Sequence, residues 1–256
     1  MKKFSLVILT LTVFCYVQSV TANSNESHHL NNTHTDNKES VIADYDLGNE
    51  YYFGTGVMQD YKQAVNWYHK AAIQGDAAAQ VNLGVMYADG TGVTQDYKQA
   101  FKWYHKAAIQ GYAAAQNNLG VMYENGTGVT QDCKQAVNWY HKAAIQGYAM
   151  AQFNLGAMYA DGTGVTQDYK QAFKWYHKAA IQGYAPCQYD LGVMYANGKG
   201  VTQDYKEAFK WYRKAANQGD ATAQAYLGIM YADGTGVTQD YKQAVNWYHK
   251  GVMWRK

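Results

Sequence analysis

From about residue 40 onward the apolar residues return in blocks, each holding two helical stripes in succession. In the block from Asp76 to Gly111, Ala79, Leu83, Met86 and Tyr87 recur at three- and four-residue steps, the spacing of one helical face. Gly90 predicts the end of that helix, and "GTGVTQ" reads as the turn that follows. Asp96 stands as the N-cap of a second helix, with Gln99 three residues on as its reciprocal partner in a capping box. Ala100, Trp103, Tyr104, Ala107 and Ala108 form the inward stripe of this second helix, and Gly111 closes it in left-handed geometry.

The block repeats. Trp67, Trp103, Trp139, Trp175, Trp211 and Trp247 stand 36 residues apart, and Leu47, Leu83, Leu119, Leu155, Leu191 and Leu227 keep the same step. A fixed period of this length marks an array of stacked units. Gly84 and its counterparts Gly48, Gly120, Gly156, Gly192 and Gly228 sit inside the first helix, where glycine costs about 1 kcal/mol relative to alanine. Close approach of the second helix, with Trp and Tyr packed around the gap, is the expected offset. One helical pair cannot bury both of its faces, so each copy supplies the wall against which the next one packs.

These residues carry a resemblance. Ala79, Leu83-Gly84, Tyr87, Gly90-x-Gly92-Val93, Asp96, Ala100, Trp103, Ala107-Ala108 and Gly111 resemble the Sel-one-like repeat, a relative of the tetratricopeptide repeat. The motif is almost unbroken in five units. The first, "SVIADYDLGNEYY", is more polar, and the last ends "HKGVMWRK" without the Ala-Ala pair, as terminal caps do. The expected fold is all-α, a right-handed superhelical α-solenoid of six 36-residue helix-turn-helix repeats over 40–75, 76–111, 112–147, 148–183, 184–219 and 220–256.

Comparison of the copies locates a candidate site. Most positions are the same in nearly all units, but the first helix varies at 78, 81, 82 and 85 and their equivalents, which lie on one face. The stripe reads Asn117, Asn118 and Val121, then Met150, Phe153, Asn154 and Ala157, then Tyr189, Asp190 and Val193, then Thr222, Ala225, Tyr226 and Ile229. In tetratricopeptide-like folds the first helices line the concave surface, so the resemblance implies that this stripe lines it too. Phe153, Asn154, Tyr189, Asp190 and Tyr226 would then hold an extended peptide or loop, with aromatic anchors beside hydrogen-bonding groups. Neutral drift on a solvent face is the competing explanation. The second helix alternates between Val-Asn (Val65-Asn66) and Phe-Lys (Phe101-Lys102), a mark of recent duplication to which no chemistry attaches.

The N-terminus breaks the period. Lys2 and Lys3 precede an apolar run from Phe4 to Val17, and Val20 and Ala22 offer small residues. This predicts a secretory signal peptide over 1–22, cut after Ala22, since the run falls short of the roughly 20 apolar residues that span a bilayer. A disordered polar leader is expected over 23–39. The chain is expected to be secreted or periplasmic, with no stable membrane span after cleavage. It carries 22 Lys+Arg against 20 Asp+Glu, and loss of Lys2 and Lys3 would bring the two into balance. No basic excess then remains to draw in nucleic acid. Cys133 and Cys187 replace different residues of non-adjacent units, which argues against a disulfide.

Catalytic chemistries find little support. His69, His105, His141, His177 and His249 recur at the repeat step, so stacked equivalents would be roughly 10 Å apart, too far to share a metal ion. The "GTG" turns follow helices, whereas a nucleotide fingerprint follows a strand. Some secreted relatives of the repeat family bind or hydrolyse β-lactams. They carry a cysteine pair in each repeat, absent here, and the serines Ser5, Ser19, Ser24, Ser27 and Ser40 all fall ahead of the array. The expectation is therefore a non-enzymatic exported scaffold without cofactor or metal, binding a protein or peptide such as a host or cell-envelope component. A β-lactam-binding protein and a structural spacer of the envelope are the alternatives.

Overall fold

The computed structural model describes residues 34–253. The expected signal peptide, and the expected leader as far as residue 33, lie outside the described residues. Twelve helices and no strand are found among them. These are α1 (His34–Phe53), α2 (Tyr61–Ile73), α3 (Ala77–Asp89), α4 (Tyr97–Ile109), α5 (Ala113–Asn125), α6 (Cys133–Ile145), α7 (Ala149–Asp161), α8 (Tyr169–Ile181), α9 (Ala185–Asn197), α10 (Tyr205–Asn217), α11 (Ala221–Asp233) and α12 (Tyr241–Met253). Two compact units divide them, one ending at Gln131 with α1–α5 and one starting at Asp132 with α6–α12. Within each unit a helix packs chiefly on its neighbours in the chain, as consecutive helix-turn-helix pairs of a solenoid do.

α1 starts at His34, so the last residues of the expected leader join the first helix. No glycine or proline lies between His34 and Val41 to stop it, and each added residue gains a backbone hydrogen bond. Ser40 is thus an exposed residue of α1 and not ahead of the array.

The second helices start on aspartate. Asp96 Oδ1 accepts from the amides of Lys98 at 2.9 Å and Gln99 at 3.0 Å, and Asp60, Asp168 and Asp204 do the same. The reciprocal half of the capping box is absent. The Asp96 amide donates instead to the Tyr87 carbonyl at 2.9 Å, a partner already fixed by α3 and needing no ordered glutamine side chain. Gln95 takes the structural part, donating to the Ala88 carbonyl at 2.7 Å and so pinning the turn.

The glycine inside the first helix is filled from the second. A Cβ on Gly84 would lie 2.5 Å from the Tyr104 ring, and one on Gly156 2.6 Å from the Tyr176 ring. The atoms nearest the gap all belong to the tyrosine. Tryptophan is used between copies: the His69 and His141 rings meet Trp103 and Trp175 edge-on at 5.5 and 5.7 Å. Lys106 and Lys178 lie over the same indoles at 4.2 and 4.3 Å.

A glutamine clasp joins successive helices. Gln80 Nε2 donates to the Ala72 carbonyl of α2 at 2.9 Å, while Gln80 Oε1 accepts from Gln110 at the end of α4 at 2.9 Å. Gln152 with Gln182, and Gln188 with Gln218, repeat it in the second unit. The first copy substitutes Asp44, which receives Lys70 at 2.8 Å and Gln74 at 3.0 Å.

Candidate partner-binding site

In the first unit the stripe is largely closed. Asn117 and Asn118 of α5 are 1% and 4% exposed, so they are interior polar residues, and Val121 is half-buried. The more open polar ground is in α1, at positions the sequence comparison passed over. Tyr68 Oη donates to Asn49 Oδ1 at 2.8 Å. Burial pushes the Tyr45 hydroxyl up, eased by hydrogen bonding to Asn49 and Asn82. Burial and the Asp76 carboxylate raise Asp46. These residues stand one period before 81, 82 and 85, so the step itself would have found them, had the more polar first copy been aligned with the rest.

In the second unit the stripe opens. Met150, Phe153, Asn154, Tyr189 and Asp190 are half-buried, Thr222 is exposed, and Tyr226 is 39% exposed. Phe153 of α7 packs on Tyr176 and Tyr184 with ring centroids 5.9 and 5.7 Å apart. Tyr189 of α9 lies 5.8 Å from Tyr212 and 5.9 Å from Tyr226, and those two stack at 5.1 Å. Two of these rings, Tyr189 and Tyr226, come from adjacent first helices, and Tyr212 from α10 between them. The outcome is an aromatic surface rooted in the hairpin interior.

Asp190 sits in this wall. Burial, then the Asp220 and Asp161 carboxylates, raise its own carboxyl to about 7. Its neighbour Tyr189 is pushed up to about 12 by burial and by Tyr226. Cys187, fully buried one turn earlier, has its thiol raised by burial and by Asp190, which keeps it in the unreactive protonated form. Cys133 is likewise a free thiol.

The second helices carry a feature the sequence did not reveal. Phe173, Lys174, Trp175, His177 and Lys178 of α8, with Gln171 and Tyr195, line an open cleft of about 440 Å³. Phe101, Lys102, Trp103, His105, Lys106 and Gln99 of α4 line another of about 380 Å³. Both belong to the Phe-Lys version of the helix. Phe173 packs edge-on on Tyr195 in the wall of the first, and Phe101 of the second packs in the same way on Tyr123. Among the described residues no group of three His, Cys, Asp or Glu is placed to hold a metal ion, and no helix is long and apolar enough to cross a membrane.

The Sel1 repeat model matches residues 41–76, 77–112, 113–148, 149–184, 185–220 and 221–253. The chain belongs to the Sel1 repeat family. A solved Sel1-like structure, a protective antigen present in uropathogenic Escherichia coli strains, is 41% identical with a TM-score of 0.82 over 88% of this chain. The chain spans 50% of that antigen's length. A Sel1 repeat protein from Oxalobacter formigenes is 36% identical, with a TM-score of 0.75 over 83% of both chains. An immunity protein from Pseudomonas aeruginosa shares the fold at 22% identity and a TM-score of 0.51. Curated proteins give no match. Sel1 repeats mediate protein–protein interaction and are generally non-catalytic scaffolds.

Proposed function

We propose that this Sel1 repeat protein is an exported scaffold that holds an extended peptide or loop of a protein partner on the first-helix stripe of its second unit. The observation that carries the proposal is the set of aromatic side chains Phe153, Tyr189 and Tyr226, partly open to solvent on helices that bury Leu155, Leu191 and Leu227 completely. Rings anchored in the interior lose little freedom when a partner covers them, and such anchors dominate the energetics of protein recognition. Export is supported by the charged, apolar and small-residue order of residues 2–22, and by likeness to a chain described as a protective antigen.

The test is a double variant, Phe153→Ala with Tyr189→Ala. Partners captured from envelope and host lysates by the wild-type chain are identified by mass spectrometry. The variant should keep its helical circular dichroism and lose those partners. Undiminished capture would remove the proposal.

A further inference from the structure

The Asp190 carboxylate has neither a hydrogen-bond nor an ion-pair partner among the described residues, although Tyr176, Tyr189 and Tyr212 are close enough to feel its charge. The titratable groups near enough to act on it are Tyr189 and Cys187 on its own helix, Tyr176 from α8, Tyr212 from α10, Asp161 at the end of α7, and Asp220 at the head of α11. None is a cation. Asp220 is already engaged, accepting from the Ala223 amide at 2.7 Å. A half-buried carboxylate left without a counter-charge is costly, and the same cost becomes affinity when a cation arrives.

An independent observation concerns the whole face. In the second unit the first helices α7, α9 and α11 contain no lysine or arginine, while α6, α8, α10 and α12 each carry at least two. Every cation of these hairpin helices is thus on the second helix, and several are occupied there, as Lys178 and Lys214 are over Trp175 and Trp211. The stripe is left with aromatic rings and one carboxylate, Asp190. Its complement is a basic segment.

We propose that Asp190, next in the chain to Tyr189 and its ring cluster with Tyr212 and Tyr226, receives a lysine or arginine side chain of the partner segment. The cation would pair with the carboxylate while its aliphatic stem and charged head lie along the exposed faces of Tyr189 and Tyr226, a carboxylate and a cation–π contact together. The inference rests on the peptide-binding reading of the stripe and names the chemistry it selects.

The experiment uses the full mature chain and two fluorescent, end-blocked hexapeptides of alternating leucine and lysine, one with free lysines and one with Nε-acetyllysines. Anisotropy titration at pH 8, where Asp190 is ionised, measures both against wild type, Asp190→Asn and the Phe153/Tyr189 double variant. Asparagine is tolerated by the fold, since Asn154 occupies the equivalent position of the preceding copy. The free-lysine peptide should bind wild type at least about tenfold more tightly than either the acetylated peptide or the Asp190→Asn protein binds. Equal binding of the two peptides, an unchanged affinity in Asp190→Asn, or no binding of the free-lysine peptide overturns the inference. Equal binding that is lost in the double variant would do so while leaving the aromatic stripe standing as a peptide site.

Discussion

Asp190 occupies a position held by Asn82, Asn118 and Asn154 in earlier copies, so a single residue changes the electrostatics of one hairpin without altering its shape. An aspartate in an unfolded chain ionises near pH 4, whereas burial beside Asp220 and Asp161 keeps Asp190 protonated up to about pH 7. Between those two values the folded chain holds the extra proton. Stability from this group is therefore full at the acid end, falls as pH rises through the window, and levels off above it. Thermal melts at pH 5 and pH 8 should show a larger fall in melting temperature for wild type than for Asp190→Asn. Identical falls would mean that Asp190 ionises like a surface carboxylate.

Between elements, the governing contact is the tyrosine seated over the glycine of its partner helix. Gly156→Ala brings a methyl group within 2.6 Å of the Tyr176 ring, which is itself nearly buried. Overpacking of this kind costs about 1–3 kcal/mol, against a helix-propensity gain of about 1 kcal/mol. A net loss of stability is expected in urea unfolding, and pairing the change with Tyr176→Leu should recover part of it. A neutral or stabilising Gly156→Ala would show that α7 and α8 separate easily. Part of this contact was legible in the sequence, because a glycine repeated inside a helix demands an offset elsewhere. The choice of Tyr over Trp was not, since both recur at the same period and only the packing separates them. The clasp was hidden for a similar reason. Gln80 and Gln110 lie on different helices, and no local signal pairs them. The last hairpin shows its limits: Gln224 Oε1 is buried without a hydrogen-bond partner among the described residues, and position 254, where the donating glutamine would recur, is tryptophan.

Across the whole molecule the period specified the class of fold and the number of repeats, because helical spacing, caps and turn glycines all agree in every copy. The candidate site was less legible. Variation among copies marked one face of the first helices, yet variation does not distinguish a residue turned to solvent from one sealed inside: Tyr226 is open while Asn117 is closed. It also missed the clefts beside Phe101 and Phe173, because a duplicated pair of residue types carries no chemical signature until its surroundings are known. Export makes its own prediction. If the signal peptide is cut after Ala22, the mature chain should begin at Asn23, and intact-mass measurement on protein recovered from the envelope or medium checks it. A mass that retains Met1–Ala22 would overturn cleavage at that site.

The socket on the first helix and the ring that fills it reside in the same hairpin, as Gly84 with Tyr104 and Gly192 with Tyr212 do. Unequal recombination that inserts or deletes an intact copy therefore never separates a socket from its filler, whereas a lone substitution strands one of the two. Such a gene can lengthen or shorten by whole hairpins far more freely than it can exchange that tyrosine.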